Sequence, residues 1–246
     1  MPHFIVIVAQ KAGTSSVFAY LKQHHQIVRP VFKEIYYFDR HYNRGLGWYG
    51  CNFPARAAIE RLNDRRGRPH LTFEATATYI FGEEVPKRIA GDIETKKFVA
   101  LLRDPADRAI SAYWHARRMG REQRTLDRAI KMDLDWYAKE NAFERGQGPR
   151  PAGGPPRPTY VRRGIYHESI SRWLGAFGRE NLLVVQSEAM FADPRAAMDQ
   201  ILGFVGLPPS EHIDYRPHNV GGYRETDAEA RRPSTAARSP TITMER

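Results

Sequence analysis

The chain has 246 residues, 41% of them hydrophobic, and a net charge of +10. That is material for one domain with a sheet covered on both faces, and its basic excess suits anions such as nucleotides, sulfated or carboxylated glycans, or nucleic acid, although a solvated arginine-rich surface accounts for such a charge by itself. The single cysteine, Cys51, excludes an intrachain disulfide and a cysteine metal cluster and reads as an ordinary packed thiol.

The first apolar run, Phe4 to Val8, is too short to span a bilayer or to serve as a signal-peptide core. The chain therefore reads as having no membrane span and as cytoplasmic, unless a segment was trimmed ahead of it. That run is a strand leading into AQKAGTSS and then into a helix with Val17, Leu21 and His24 on one face. Ile27 to Val31 is expected to be a short strand, Lys33 to Asp39 a strand-end loop, and Arg44 to Pro54 irregular. Ala55 to Arg66 reads as a basic helix closed by Gly67. Leu71 to Ala75 is a second core strand, and Glu83 to Ala90 a helix ended by Gly91. Lys97 to Leu102 is an interior strand. Asp104-Pro105 starts a helix that runs to Met119, with a capping residue followed by proline at the first helical position. Leu126 to Tyr137 is a further helix. Residues 146–158 are rich in Pro and Gly and read as a mobile loop. Tyr166, Ile170, Trp173 and Phe177 repeat at helical spacing, Leu182 to Val185 is a strand, and Met198 to Val205 a last helix. The single domain is expected over 1–225, with a disordered polar tail over 226–246.

This alternation predicts an α/β fold: a three-layer sandwich of the P-loop type, with a mostly parallel central sheet and helices on both faces. Ligands of such sheets bind at the carboxyl ends of the strands, which places Lys11, Glu34, Glu74 and Arg103 on one rim.

Two segments carry chemistry. In AQKAGTSS, Lys11 supplies a cation, Gly13 lets backbone approach an anion, and Thr14, Ser15 and Ser16 bring hydroxyls and N–H donors to a helix N-terminus. A triphosphatase loop carries its lysine directly after the second glycine, whereas Lys11 precedes the only glycine here, and this counts against a nucleotide kinase. In LLRDPADRAISAY, Arg103 ends a strand where its guanidinium can fork onto a phosphate, and Ser111 lies two turns along the helix that follows. A capped surface helix with an Asp–Arg network explains the aspartate and the proline but not the serine.

Together these segments resemble the 5′-phosphosulfate and 3′-phosphate motifs of sulfotransferases that use 3′-phosphoadenosine 5′-phosphosulfate, and more narrowly the heparan-sulfate and bacterial glycan-type branch. Lys11, Gly13, Thr14 and Ser15 match the first motif; Arg103, Asp104, Pro105, Arg108 and Ser111 match the second. KEIYYFD resembles the segment that carries the family's catalytic carboxylate, at Glu34. EATATYIF is similar to a strand-end segment of the family, and RRGIYHESISRWLGAFGRENLLVVQSEAMFADP to its Arg-Gly-x-Tyr helix, following strand and turn. Three features depart from the family pattern: Tyr36 stands where several glycan enzymes have histidine, Ala75 where many have lysine, and the loop after Leu207 is reduced to RPHNVGGYRET.

The resemblance implies a sulfotransferase with Lys11 meeting charge on the leaving phosphate and Lys11, Ala12, Gly13, Thr14, Ser15 and Ser16 holding the 5′-phosphate. Arg103 and Ser111 hold the 3′-phosphate, with Gly164 and Tyr166 near the nucleotide. Glu34 is the general base. Lys33, Tyr36, Glu74 and Arg163 are acceptor- or donor-side contacts. The product is 3′-phosphoadenosine 5′-phosphate, and no metal is required. The acceptor group is expected to be a hydroxyl, in preference to an amine, of a carbohydrate or other polar alcohol, with Trp48 and Tyr49 beside it, and not a nucleic acid; the oligomeric state is not assigned. A P-loop nucleotide kinase and a non-catalytic polyanion-binding module remain as alternatives.

Overall fold

The computed structural model describes residues 1–152 and 159–216. The expected tail, the segment after Arg216 and residues 153–158 of the Pro/Gly loop lie outside them. Four strands, β1 (Phe4–Val8), β2 (Phe73–Thr76), β3 (Lys97–Leu102) and β4 (Leu182–Gln186), form one parallel sheet in the order β2-β1-β3-β4. Ten helices surround it among the described residues: α1 (Thr14–Leu21), α2 (Tyr37–Arg40), α3 (Gly45–Gly50), α4 (Arg56–Arg66), α5 (Val85–Asp92), α6 (Pro105–Arg118), α7 (Leu126–Glu144), α8 (Tyr166–Phe177), α9 (Ser187–Ala192) and α10 (Pro194–Phe204). None is long and apolar enough to cross a membrane.

β1 is apolar without alternation because both faces of the sheet are covered. Phe4, Val6 and Val8 enter a core with α1, α9 and α10, built on Val17, Leu21, Met190, Met198 and Leu202. Ile5 and Ile7 enter the opposite core, with Tyr37, Phe38, Tyr49, Tyr79, Ile89 and Trp173. A third, smaller cluster joins α6, α7 and Tyr160. The three-layer arrangement and the four strands are as expected.

Several elements differ locally. Ile27 to Val31 is not a strand: Ile27 makes one bridge to Leu71, Val28 N–H donates to Leu71 O, and the chain then leaves the sheet at Pro30, which has no N–H to give. Arg44 to Pro54 is not irregular: α3 forms despite three glycines because Tyr49 drives into the core, 4.7 Å from Tyr37 and 5.0 Å from Phe38 and Phe53. Part of the expected loop at Lys33 to Asp39 closes into α2 for the same reason. Gly91 lies inside α5 and does not end it. α7 continues to Glu144, since nothing before Gly146 breaks it. Cys51 is exposed and not packed.

Candidate active site

The carboxyl ends of β1 and β3 lie side by side, and Ala9 N–H extends their pairing by donating to Leu101 O at 2.9 Å. The loop after β1 then folds back, with Ala12 N–H on Ala9 O. This turn needs left-handed backbone at Lys11 (φ 74) and Gly13 (φ 100). A Cβ at Gly13 would stand 2.7 Å from Met190 Cε and 3.1 Å from Phe191, so the loop is pressed onto α9 as well as turned. Ser187 Oγ fastens it from below by donating to Ala12 O at 2.7 Å. Ser16 and Val17 N–H donate to Gly13 O, so the N–H groups ahead of them face outward from the helix end. Thr14 and Ser16 are buried, and Ser15 is half-buried.

Arg103 brings the second motif onto the first. Its Nη1 donates to Lys11 O at 3.2 Å, across 92 residues of sequence. The α6 helix that follows is capped by Asp104, which accepts Asp107 N–H at 2.9 Å. Ser111 is buried on the helical face that also carries Asp107. Tyr166 Oη donates to Arg103 O at 3.0 Å. Gly164 sits so close to α6 that a Cβ there would be 2.9 Å from Pro105 Cβ. Arg108 is fully buried, with Nη2 on Tyr160 O and no partner for Nε or Nη1, and burial lowers its pKa to about 10. It ties the 160–164 segment beneath α6. Arg163 donates to Gln10 at 3.1 Å and lies over Phe81. Lys11, Ala12, Arg103, Arg163, Gly164 and Tyr166 are thus assembled on one rim.

Lys11 is depressed by burial, and then by the positive charges of Arg118 and Arg103. His115 is depressed by burial and by Lys11, Arg118 and Arg121. His115 and Arg118 therefore lie within electrostatic reach of Lys11, and neither is among the site residues expected from the sequence. The available signal was periodicity, because they follow Ser111 by four and seven residues on the same helical face.

Glu34 approaches from the other side. Its N–H donates to Ala75 O at 3.0 Å, which moors the segment to the end of β2. Tyr36 Oη donates to Glu34 Oε2 at 2.5 Å, and burial raises the Tyr36 phenol, so it stays a donor. Lys33 Nζ donates to Ser15 Oγ at 2.8 Å, which makes Lys33 a contact of the phosphate loop; burial lowers it and the Glu34 charge partly restores it. Among the described residues, the non-glycine positions at positive φ are Lys11, Glu34 and Tyr36. Each costs about 1 kcal/mol or more, and all three belong to this rim, where such strain is held by its surroundings.

Two expectations change. Glu74 does not reach the rim: it has no exposed surface and is enclosed by hydroxyls of Tyr49, Thr76 and Tyr79. Tyr49 is likewise in the core and not beside an acceptor, whereas Trp48 is half-buried under Arg44. The burial of Glu74 follows from the register of β2, which pairs it with Ile5 and turns it to the same face.

Residues 1–218 match the model of the Sulfotransferase domain. The chain belongs to the sulfotransferase family. It is 30% identical over 87% of its length to the bifunctional heparan sulfate N-deacetylase/N-sulfotransferase 3 of Homo sapiens, of which it spans 23%. It is 29% identical over 84% of its length to the heparan sulfate glucosamine 3-O-sulfotransferase 6 of Mus musculus, of which it spans 52%. Among solved structures it resembles a sulfotransferase from Alicyclobacillus acidocaldarius, with 27% identity, a TM-score of 0.63, and coverage of 94% of this chain and 90% of that one. The sulfotransferase is an enzyme of sulfuryl transfer, and its fold is the P-loop-like α/β fold of these relatives.

Proposed function

We propose that this sulfotransferase takes its sulfuryl group from 3′-phosphoadenosine 5′-phosphosulfate and passes it to a hydroxyl of a carbohydrate or other polar alcohol, with Glu34 as general base. The observation that carries the reading is the contact of Arg103 with Lys11 O, which joins two anion-binding segments into one surface. The donor set fits a ligand with two phosphates: Lys11, Lys33 and the α1 N-terminus on one side, Arg103 and the Ser111 face on the other. Bound donor supplies an activated sulfonate on a phosphate leaving group.

The chain's own groups then have separate tasks. Outward N–H groups of the α1 end, with Ser15, orient the 5′-phosphate. Lys11 meets the charge that builds on the leaving oxygen as the old S–O bond breaks. Its pKa is depressed by burial first and then by the charges of Arg118 and Arg103, and the positive charge gathered there favours an anion. Arg103 forks onto the 3′-phosphate and so distinguishes this donor from ATP. Glu34 takes the acceptor proton as the new bond to sulfur forms, and Tyr36 fixes one oxygen of its carboxylate so that the other can face the acceptor.

An amine acceptor is the second reading. It is favoured by the 30% identity to a relative whose name includes N-sulfotransferase, while another names 3-O-sulfotransferase. The test of the donor is thermal stability with 3′-phosphoadenosine 5′-phosphate beside ATP–magnesium. At one hundred times Kd a ligand of the folded state adds about 2.7 kcal/mol. Stabilisation by the bisphosphate supports the reading, and stabilisation by ATP–magnesium alone rejects it. Labelled transfer to heparosan and to N-deacetylated heparosan then separates hydroxyl from amine.

A further inference from the structure

Behind the Glu34 segment lies a second carboxyl that no step above uses. Glu74 faces the core of α2, α3 and α5 from the middle of β2, with no exposed surface. Its Oε2 accepts from Tyr49 Oη at 2.5 Å, its Oε1 from Thr76 Oγ1 at 2.9 Å, and the Tyr79 hydroxyl donates to it as well. Two of these donors lead on to the Glu34 segment. Tyr79 Oη accepts the N–H of Phe38 at 3.1 Å. Tyr49 stacks on Tyr37 at 4.7 Å and meets Phe38 edge-on at 5.0 Å. At the other end, Glu34 N–H is held by Ala75 O, the carbonyl of the residue after Glu74. Between these moorings sit Glu34 and Tyr36, both in left-handed backbone that their neighbours must hold in place.

We propose that Glu74 is a positioning residue for the reaction: through Tyr79 and Tyr49 its carboxylate holds residues 34–38 in the strained conformation that presents Glu34 to the acceptor. The proposal rests on the reading of Glu34 as the base. Ionised, Glu74 is a charged acceptor for all three hydroxyls. Once protonated, it loses that charge and turns one oxygen into a donor that competes with the hydroxyls, so their bonds weaken. Burial pushes Glu74 up to about 7, against the bonds from Tyr49, Tyr79 and Thr76. The titratable groups facing it are Tyr49 from α3, Tyr79 from the turn after β2 and Asp39 from α2. Both tyrosines are raised well above their ordinary value, so Glu74 is the member that changes charge near neutrality. The hold on residues 34–38 therefore loosens as pH falls below about 7.

Amide hydrogen exchange of the 33–40 segment, corrected for intrinsic rates, tests this without an acceptor. Wild type is compared with Glu74→Gln, Tyr79→Phe and Glu34→Gln. Above neutral pH the first two are expected to exchange about tenfold faster in this segment, with β3 and α6 unchanged. Below about pH 6 the gap closes, because wild type itself loosens. Turnover of labelled donor with N-deacetylated heparosan should show a lower kcat for both variants with little change in the donor KM. Wild-type exchange at 33–40 in both variants overturns the proposal, as does faster exchange by one common factor throughout the molecule. If Glu74→Gln does not fold, Tyr79→Phe decides by the same criteria. Glu34→Gln separates the two claims. Full turnover in Glu34→Gln rejects the base. An inactive Glu34→Gln beside a Glu74→Gln enzyme with wild-type turnover keeps the base and rejects Glu74.

Discussion

Glu34 and Glu74 are two carboxyls with opposite surroundings, and each leads to a separate prediction. Glu34 is half-buried at the rim with Tyr36 on one oxygen. Glu34→Gln keeps the shape and the tyrosine contact but cannot take a proton, so turnover should fall about 100-fold or more while the affinity for 3′-phosphoadenosine 5′-phosphate stays within about twofold by calorimetry. Glu74 acts on stability. Its folded pKa, about 7, lies above the ordinary carboxyl value of 4.5, so the folded state holds a proton that the unfolded chain releases between these values. Stability from this group is full below the unfolded value and is lost as pH rises through about 7, to the extent of about 3 kcal/mol. Denaturant titrations from acid to neutral pH should show this loss in wild type and not in Glu74→Gln. The placing of Lys11, Gly13 and Arg103 on one rim was legible in the sequence because each lies within a few residues of a strand end. The burial of Glu74 was not, because its partner Tyr49 lies 25 residues away and meets it only in the folded core.

Among the elements, the parallel strands were the most legible. β3 runs Lys97–Leu102 as expected, since a strand covered on both faces writes an unbroken apolar run. The capped start of α6 was equally local, at Asp104-Pro105. Short helices were not legible, because α2 and α3 exist through aromatic packing and not through propensity; α3 alone holds three glycines. The face of α6 bearing Ser111, His115 and Arg118 needed the partner loop to become meaningful. The close approach of Gly164 to α6 joins that helix to the segment carrying Arg163 and Tyr166. Gly164→Ala places a methyl 2.9 Å from Pro105 Cβ and should push the segment away. The expected cost is about 1–3 kcal/mol in stability, read by thermal unfolding, with weaker binding of the bisphosphate.

For the whole molecule, the sheet order β2-β1-β3-β4 sets the phosphate loop and Arg103 on adjacent strand ends, with the Glu34 segment moored at the end of β2. One side of the rim therefore gathers positive charge, and the other offers a carboxylate. The net charge of +10 adds a favourable field for an anionic donor, and that part of the affinity should weaken between low and physiological salt. Relatives of which this chain spans 23% and 52% support the transfer chemistry without fixing the acceptor. The central claim is that Lys11 and Arg103 together read two phosphates. Calorimetric titration of 3′-phosphoadenosine 5′-phosphate beside adenosine 5′-monophosphate tests it most directly. The account predicts that the bisphosphate binds about tenfold tighter or better in wild type, and that Arg103→Ala removes most of that difference. Equal affinity for the two nucleotides in wild type would contradict it.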